Sequence, residues 1–219
     1  MMNIATRVLA IAVLLVGGGA RAQNTDSALV QQVSGEASYA SAAEERKVIP
    51  FMKVRAGDRF SLAAGARLSL VYMANGRQER WLGPARFSIG SMESKVLAGA
   101  PPEIASLPLA VAQKMMKIPE MIQIAKLGGI RVRGLKPKRQ PGAEQEAELT
   151  QAKKRYADLR QRQPPEDISP ELYLFAVLQE YLMYDEMQRV VEDMRRAQPE
   201  SDDVRRLADW LQERRGGGR

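Results

Sequence analysis

A chain of 219 residues, 45% hydrophobic and 27% charged, suits one or two folded domains and is too apolar for wholesale disorder. It has no cysteine and no histidine. That excludes disulfides, thiolate nucleophiles, acylated lipoprotein cysteines, imidazole bases and zinc sites built on Cys and His. The formal net charge of +7 suits an anionic partner, and equally an ordinary solvated surface.

Residues 1–22 read as a cleavable secretory signal peptide. Arg7 supplies the positive end, residues 8–16 form an unbroken apolar run, and Gly17-Gly18-Gly19 breaks it. Ala20-Arg21-Ala22 is then a small-x-small cleavage site, with cleavage expected after Ala22. The rival reading is an uncleaved anchor, which falls short of the ~20 apolar residues that span a bilayer. A periplasmic protein with no integral membrane segment in its mature chain is the expectation.

Residues 29–99 read as an all-β domain. Strands are expected at 29–33, 36–39, 48–54, 60–62, 67–72, 77–82, around Phe87 and Ile89, and at 94–97, with 41–47 as a loop. Ala66, Leu68, Leu70 and Tyr72 alternate with Arg67, Ser69 and Val71, a period of two that buries one face of a sheet. Asn75-Gly76 predicts a two-residue hairpin with a type I′ turn, because both residues tolerate positive φ. Strands this short, with frequent turn signals, predict a small sandwich or barrel-like fold. Gly35, Gly57, Gly65, Gly76, Gly83, Gly90 and Asp58 read as turn residues. Tyr72 and Trp81 read as sheet packing rather than ligand stacking.

The order Val33-Ser34-Gly35, Lys53-Val54-Arg55-Ala56-Gly57-Asp58, Gly65-Ala66-Arg67-Leu68-Ser69-Leu70, Asn75-Gly76 and Leu82-Gly83-Pro84-Ala85-Arg86-Phe87 resembles the FecR-like domain. The resemblance implies an all-β periplasmic module that binds another protein or an envelope component. It implies no catalytic residues. The regulator that names the family carries a sigma-factor-contacting segment and a membrane helix before its β domain. This chain has a leader at that point, so sigma-factor contact is not carried over.

Residues 100–142 read as a Met-rich helical segment, a short strand and a basic linker. Prolines 108 and 119 cut residues 103–127 into short helices. Leu109, Ala112 and Met116 are the expected apolar face of the first; Ile118, Met121, Ile122 and Ala125 form that of the second. The methionines could line a partner groove or pack over the β domain. Residues 130–134 read as a strand. Lys126, Arg131, Arg133, Lys136, Lys138 and Arg139 form a basic patch without an acid, either a solvated linker or a site for anionic lipid or glycan. Nucleic acid is disfavoured by the leader and by the scarcity of aromatics there.

Residues 143–215 read as helical, with 216–219 as a disordered tail. The expected apolar faces are Leu149, Ala152, Tyr156 and Leu159; then Leu172, Phe175, Val177, Leu178 and Leu182; then Met187, Val190, Val191 and Met194; then Val204, Leu207, Ala208 and Leu211. Ser169-Pro170-Glu171 reads as a capped helix start, and Ser201 or Asp202 as another. Residues 157–164 (ADLRQRQP) echo 192–199 (EDMRRAQP) at an offset of 35. This resembles tetratricopeptide repeats; an unrelated helical bundle is the alternative.

The fold class expected is therefore α+β by segments. The function expected is a non-catalytic exported scaffold or envelope adaptor that binds protein partners and needs no cofactor or metal. The alternative is a periplasmic signalling component reporting to a membrane receptor. A cell-wall enzyme using the pairs Glu44-Glu45 or Asp202-Asp203 is disfavoured, because adjacent carboxylates in a loop or cap do not face each other across a cleft.

Overall fold

The computed structural model describes residues 26–41, 44–120 and 142–216. Its β region is a sandwich of two antiparallel five-stranded sheets, both open. The first sheet orders β1 (Asp26–Ser34), β4 (Lys53–Arg55), β6 (Arg67–Tyr72), β7 (Arg77–Leu82) and β10 (Glu103–Ser106) as β10-β7-β6-β1-β4. The second orders β2 (Ala37–Ser41), β3 (Glu44–Lys47), β5 (Arg59–Leu62), β8 (Ala85–Ile89) and β9 (Ser94–Ala98) as β3-β2-β5-β8-β9. Five helices are fully within the described residues that follow: α1 (Leu109–Met115), α2 (Ala143–Arg162), α3 (Ser169–Glu180), α4 (Tyr184–Ala197) and α5 (Asp202–Gly216). The class is α+β, and there is no closed barrel.

The expected alternation sets the sandwich core. Leu68, Leu70 and Tyr72 of β6 and Trp81 of β7 are buried against Phe60, Leu62, Phe87 and Ile89 of the second sheet. An aromatic row runs through it: Tyr39 stacks on Phe60, Phe60 on Phe87, and Phe87 on Trp81 at 3.9 Å. Tyr72 and Trp81 are thus packing residues. The opposite face of the first sheet is buried too. Leu29, Val71, Phe51 and Leu107 join Val111, Met115, Leu172 and Phe175 in a second apolar core. The first sheet is the middle layer of three, with the second sheet below and the helices above.

Several local expectations need correction. Glu44–Lys47 is a strand, not a loop: it pairs with β2 at the sheet edge, where all four side chains are exposed and no burial pattern marks it. Glu103–Ser106 is a strand rather than helix. Pro101-Pro102 before it and Pro108 after it confine a short segment to extended backbone. The Asn75-Gly76 hairpin forms, but its turn is wider than two residues. Pairing ends at Val71 and Gln78, Gly76 N–H donates to Tyr72 O at 2.9 Å, and of these two residues only Gly76 has positive φ (+70°). The face of α1 that is buried is Val111, Ala112 and Met115, continued by Ile118, while Leu109 is exposed. Ser169 does not cap α3; Asp167 Oδ1 accepts the Ser169 N–H at 2.8 Å.

Most of the expected helical faces match the spacing, but Leu182 lies past the end of α3 with φ +55° and is only half-buried, and Tyr156 is half-buried too. Leu149, Ala152 and Leu159 are buried on α2, the four expected residues are buried on α4 and on α5, and α3 is buried from Ser169 to Leu178 as the central helix. Ser201 Oγ accepts Val204 N–H at 3.3 Å, as a cap should. The two Gln-Pro echoes fall at equivalent places: Gln163 and Gln198 each follow a helix end and donate N–H four residues back. Among the described residues no helix is long and apolar enough to cross a membrane. The expected leader (1–22), Met121, Ile122 and Ala125 of the expected second short helix, the expected strand at 130–134 and residues 217–219 of the tail lie outside the described residues.

Candidate binding surface at the open edge of the sandwich

The two sides of the sandwich are unlike. On one side β3 ends the second sheet with Glu-Glu-Arg-Lys, all exposed, and an edge so charged resists pairing with another strand. On the other side β9 and β10 end the two sheets. They lie on the same side because their neighbours β8 and β7 face each other through the Phe87–Trp81 stack. Val96 and Leu97 of β9 and Ile104 of β10 are exposed there, Leu97 at 51% and Ile104 at 48%; Met92, before β9, and Leu82, at the end of β7, are exposed too. Unpaired backbone edges flanked by apolar side chains can accept an extended segment.

A groove of about 460 Å³ adjoins this edge. The register across the outer face of the first sheet places Glu103, Arg80 and Ser69 in one row, and Leu82 and Arg67 in the next. The helices cover the row of Gln78 and part of that of Arg80, and leave Leu82 and Arg67 open as floor. Leu82, Ala100, Pro101 and Glu103 line one side, and Pro164, Glu166 and Gln198 the other. Both Gln-Pro echoes thus reach this groove. Apolar side chains beside polar ones in one groove suit the backbone and side chains of a peptide.

A buried polar network fixes the back of the groove. Asp167 Oδ2 accepts from Arg80 Nη2 at 2.9 Å and from Gln78 Nε2 at 2.7 Å. Gln31 Oε1 accepts from Gln78 Nε2 and Ser69 Oγ, both at 2.9 Å, and Gln31 Nε2 donates to Ser169 Oγ at 2.6 Å. Ser169 Oγ in turn donates to Asp167 Oδ1. Arg80 also donates to Gln163 Oε1 at 2.6 Å. Each buried group finds a partner, so the network holds helices and sheet in one register instead of leaving costly orphans.

Behind it, Arg160 donates to the carbonyls of Gln163, Pro164 and Asp167 and to Glu171 Oε2 at 2.9 Å. Burial pushes the Glu171 carboxyl above the ordinary value, and Arg160 only partly opposes it. Tyr156, which donates to Glu171 Oε1, is pushed up to about 12 by burial and by that carboxylate. Burial acts on Glu180 too, but hydrogen bonds from Lys114 and Lys117 outweigh it and leave the carboxyl below the ordinary value.

The basic patch Lys126, Arg131, Arg133, Lys136, Lys138 and Arg139 lies outside the described residues. The carboxylates of the two pairs have separate partners: Glu44 pairs with Arg46, Glu45 accepts from Ser38, and Asp202 and Asp203 pair one helical turn on with Arg205 and Arg206. Asp58 accepts Arg55 N–H at 2.9 Å, the turn role expected of it. No group of three or more acidic, Cys or His residues among the described residues is placed to hold a metal. Sequence reasoning missed Gln31, Gln78, Arg80 and Asp167. A polar residue at every second position of β7 reads as solvent-facing until the helices that cover it are known. Compared with known proteins, the chain matches no family model, no curated protein and no solved structure.

Proposed function

We propose that this is a non-catalytic exported protein of the bacterial envelope, acting as a protein-binding scaffold or adaptor. In this reading a FecR-like sandwich takes an extended segment of a partner along β9 and β10, and a TPR-like helical region frames the adjoining groove. The observation that carries it is the asymmetry of the sandwich edges: one is charged at every position, and the other exposes Val96, Leu97 and Ile104 beside Lys95 and Glu103. The signal-peptide-like leader supports export, and the chemistry excluded by the absence of Cys and His supports a binding role.

The test is capture from a crosslinked envelope fraction by the protein and by two variants. Leu97→Lys with Ile104→Lys charges the bare edge, and Glu45→Ala alters only the charged one. The proposal expects a discrete partner retained by the wild type and by the Glu45 variant and lost from the double variant. Equal retention by all three would overturn it.

A further inference from the structure

A second concavity, of about 370 Å³, lies between the start of α1 and the side of α2, apart from the groove. Pro108 forms one wall. Gln151, Lys154, Arg155, Asp158, Leu159 and Arg162 form the other. Residues 151, 155, 158 and 162 step by four, three and four, so they form one stripe along α2, with Lys154 beside it.

The ion-pair pattern singles this place out. Around it, Lys114 and Lys117 pair with Glu180, Lys153 with Glu186, and Arg160 with Glu171. Among the described residues no carboxylate comes within ion-pair distance of Lys154, Arg155 or Arg162. That includes Asp158, which shares the concavity. Three cations thus line one hollow, their donors in no ion pair with a described residue. Arg162 at the end of α2 also answers the helix dipole, but that role needs no hollow and no second arginine.

We infer that this concavity binds a phosphate-type anion. Two guanidinium forks on one stripe offer paired N–H donors to the oxygens of a phosphoryl group, and Lys154 adds a point charge. Asp158 at the centre limits the site to groups whose oxygens reach past it to the arginines. A membrane lipid headgroup and a soluble phosphate share this chemistry.

The experiment measures thermal unfolding with and without inorganic pyrophosphate, and co-sedimentation with phosphatidylglycerol or phosphatidylcholine vesicles. The variants are Arg155→Gln/Arg162→Gln, Arg155→Lys/Arg162→Lys, Lys154→Gln, and Arg195→Gln as an exposed control on α4. Pyrophosphate should raise Tm in the wild type and the control. Affinity should fall about tenfold in the glutamine pair and measurably in the lysine pair, which keeps charge but not the fork. Vesicle binding that depends on Arg155 and Arg162 assigns a lipid headgroup; a Tm rise without it assigns a soluble phosphate. No Tm rise together with vesicle binding indifferent to these arginines overturns the inference. So does an equal rise in the glutamine pair. Lys154→Gln removes the point charge and keeps both forks, so it should weaken pyrophosphate binding less than the glutamine pair does.

Discussion

Arg80 on β7 and Asp167 in the turn between α2 and α3 stand 87 residues apart in sequence and meet at 2.9 Å. The pair ties the outer face of the middle sheet to the helices, and Gln78, Gln31 and Ser169 bond around it. Arg80→Ala and Asp167→Ala should each cost about 1–3 kcal/mol, between the values for exposed and for fully buried pairs because Arg80 is partly solvated. The double variant should cost less than the sum, since each single change leaves the other's charge uncompensated. Urea unfolding of the four proteins measures this; strict additivity would show that the pair carries no coupling.

The two tryptophans report separate cores, Trp81 the sandwich and Trp210 the helices. Both cores use the same middle sheet, one on each face. Fluorescence of Trp81→Phe and of Trp210→Phe should therefore each track far-UV circular dichroism with a common midpoint in urea. A Trp210 transition that precedes loss of the β signal would mean the helices unfold alone.

Two glycines with positive φ separate backbone preference from space. A side chain at Gly57 (φ +95°) would meet nothing within 4 Å, so Gly57→Ala should cost about 1–2 kcal/mol from the left-handed backbone alone. At Gly76 (φ +70°) a Cβ would lie 2.1 Å from Leu107 O, and Leu107 N–H bonds Gly76 O at 2.8 Å. Gly76→Ala should be clearly the more costly, by thermal or chemical unfolding. Equal losses would contradict the close approach of β10 to this turn.

Much of this fold was legible because burial and period coincide. The β6 alternation and the faces of α4 and α5 are set by which positions must leave water. The strands Glu44–Lys47 and Glu103–Ser106 were not legible, since edge strands with exposed side chains carry no burial signal. The candidate surface was hidden for a related reason. Gln78 and Arg80 look solvent-facing in sequence and become structural only when Asp167, 89 and 87 residues later, bonds them. Conversely, Leu97 and Ile104 look like core and are left bare. The Gln-Pro echo was visible, but not that Pro164 of one copy and Gln198 of the other border one groove.

Two carboxylates should pull the pH dependence of stability in opposite directions. Glu171 titrates above the ordinary 4.5 in the folded protein. Its contribution is full below that value and is lost as pH rises through the folded pKa. Glu180 titrates below 4.5 when folded, so its contribution is present above that value and is lost as pH falls. Glu171→Gln should flatten the decline on the alkaline side of 4.5, and Glu180→Gln the decline on the acid side. Urea midpoints between pH 3 and 8 check both signs.

The most direct test of binding at the bare edge places a photocrosslinking residue at Leu97, at Ile104 or at Glu45 and irradiates intact cells. Discrete adducts of common mass at Leu97 and Ile104, with none at Glu45, are the result expected of a partner strand on β9 and β10. Adducts at Glu45 alone, or the same adducts at all three positions, would contradict it.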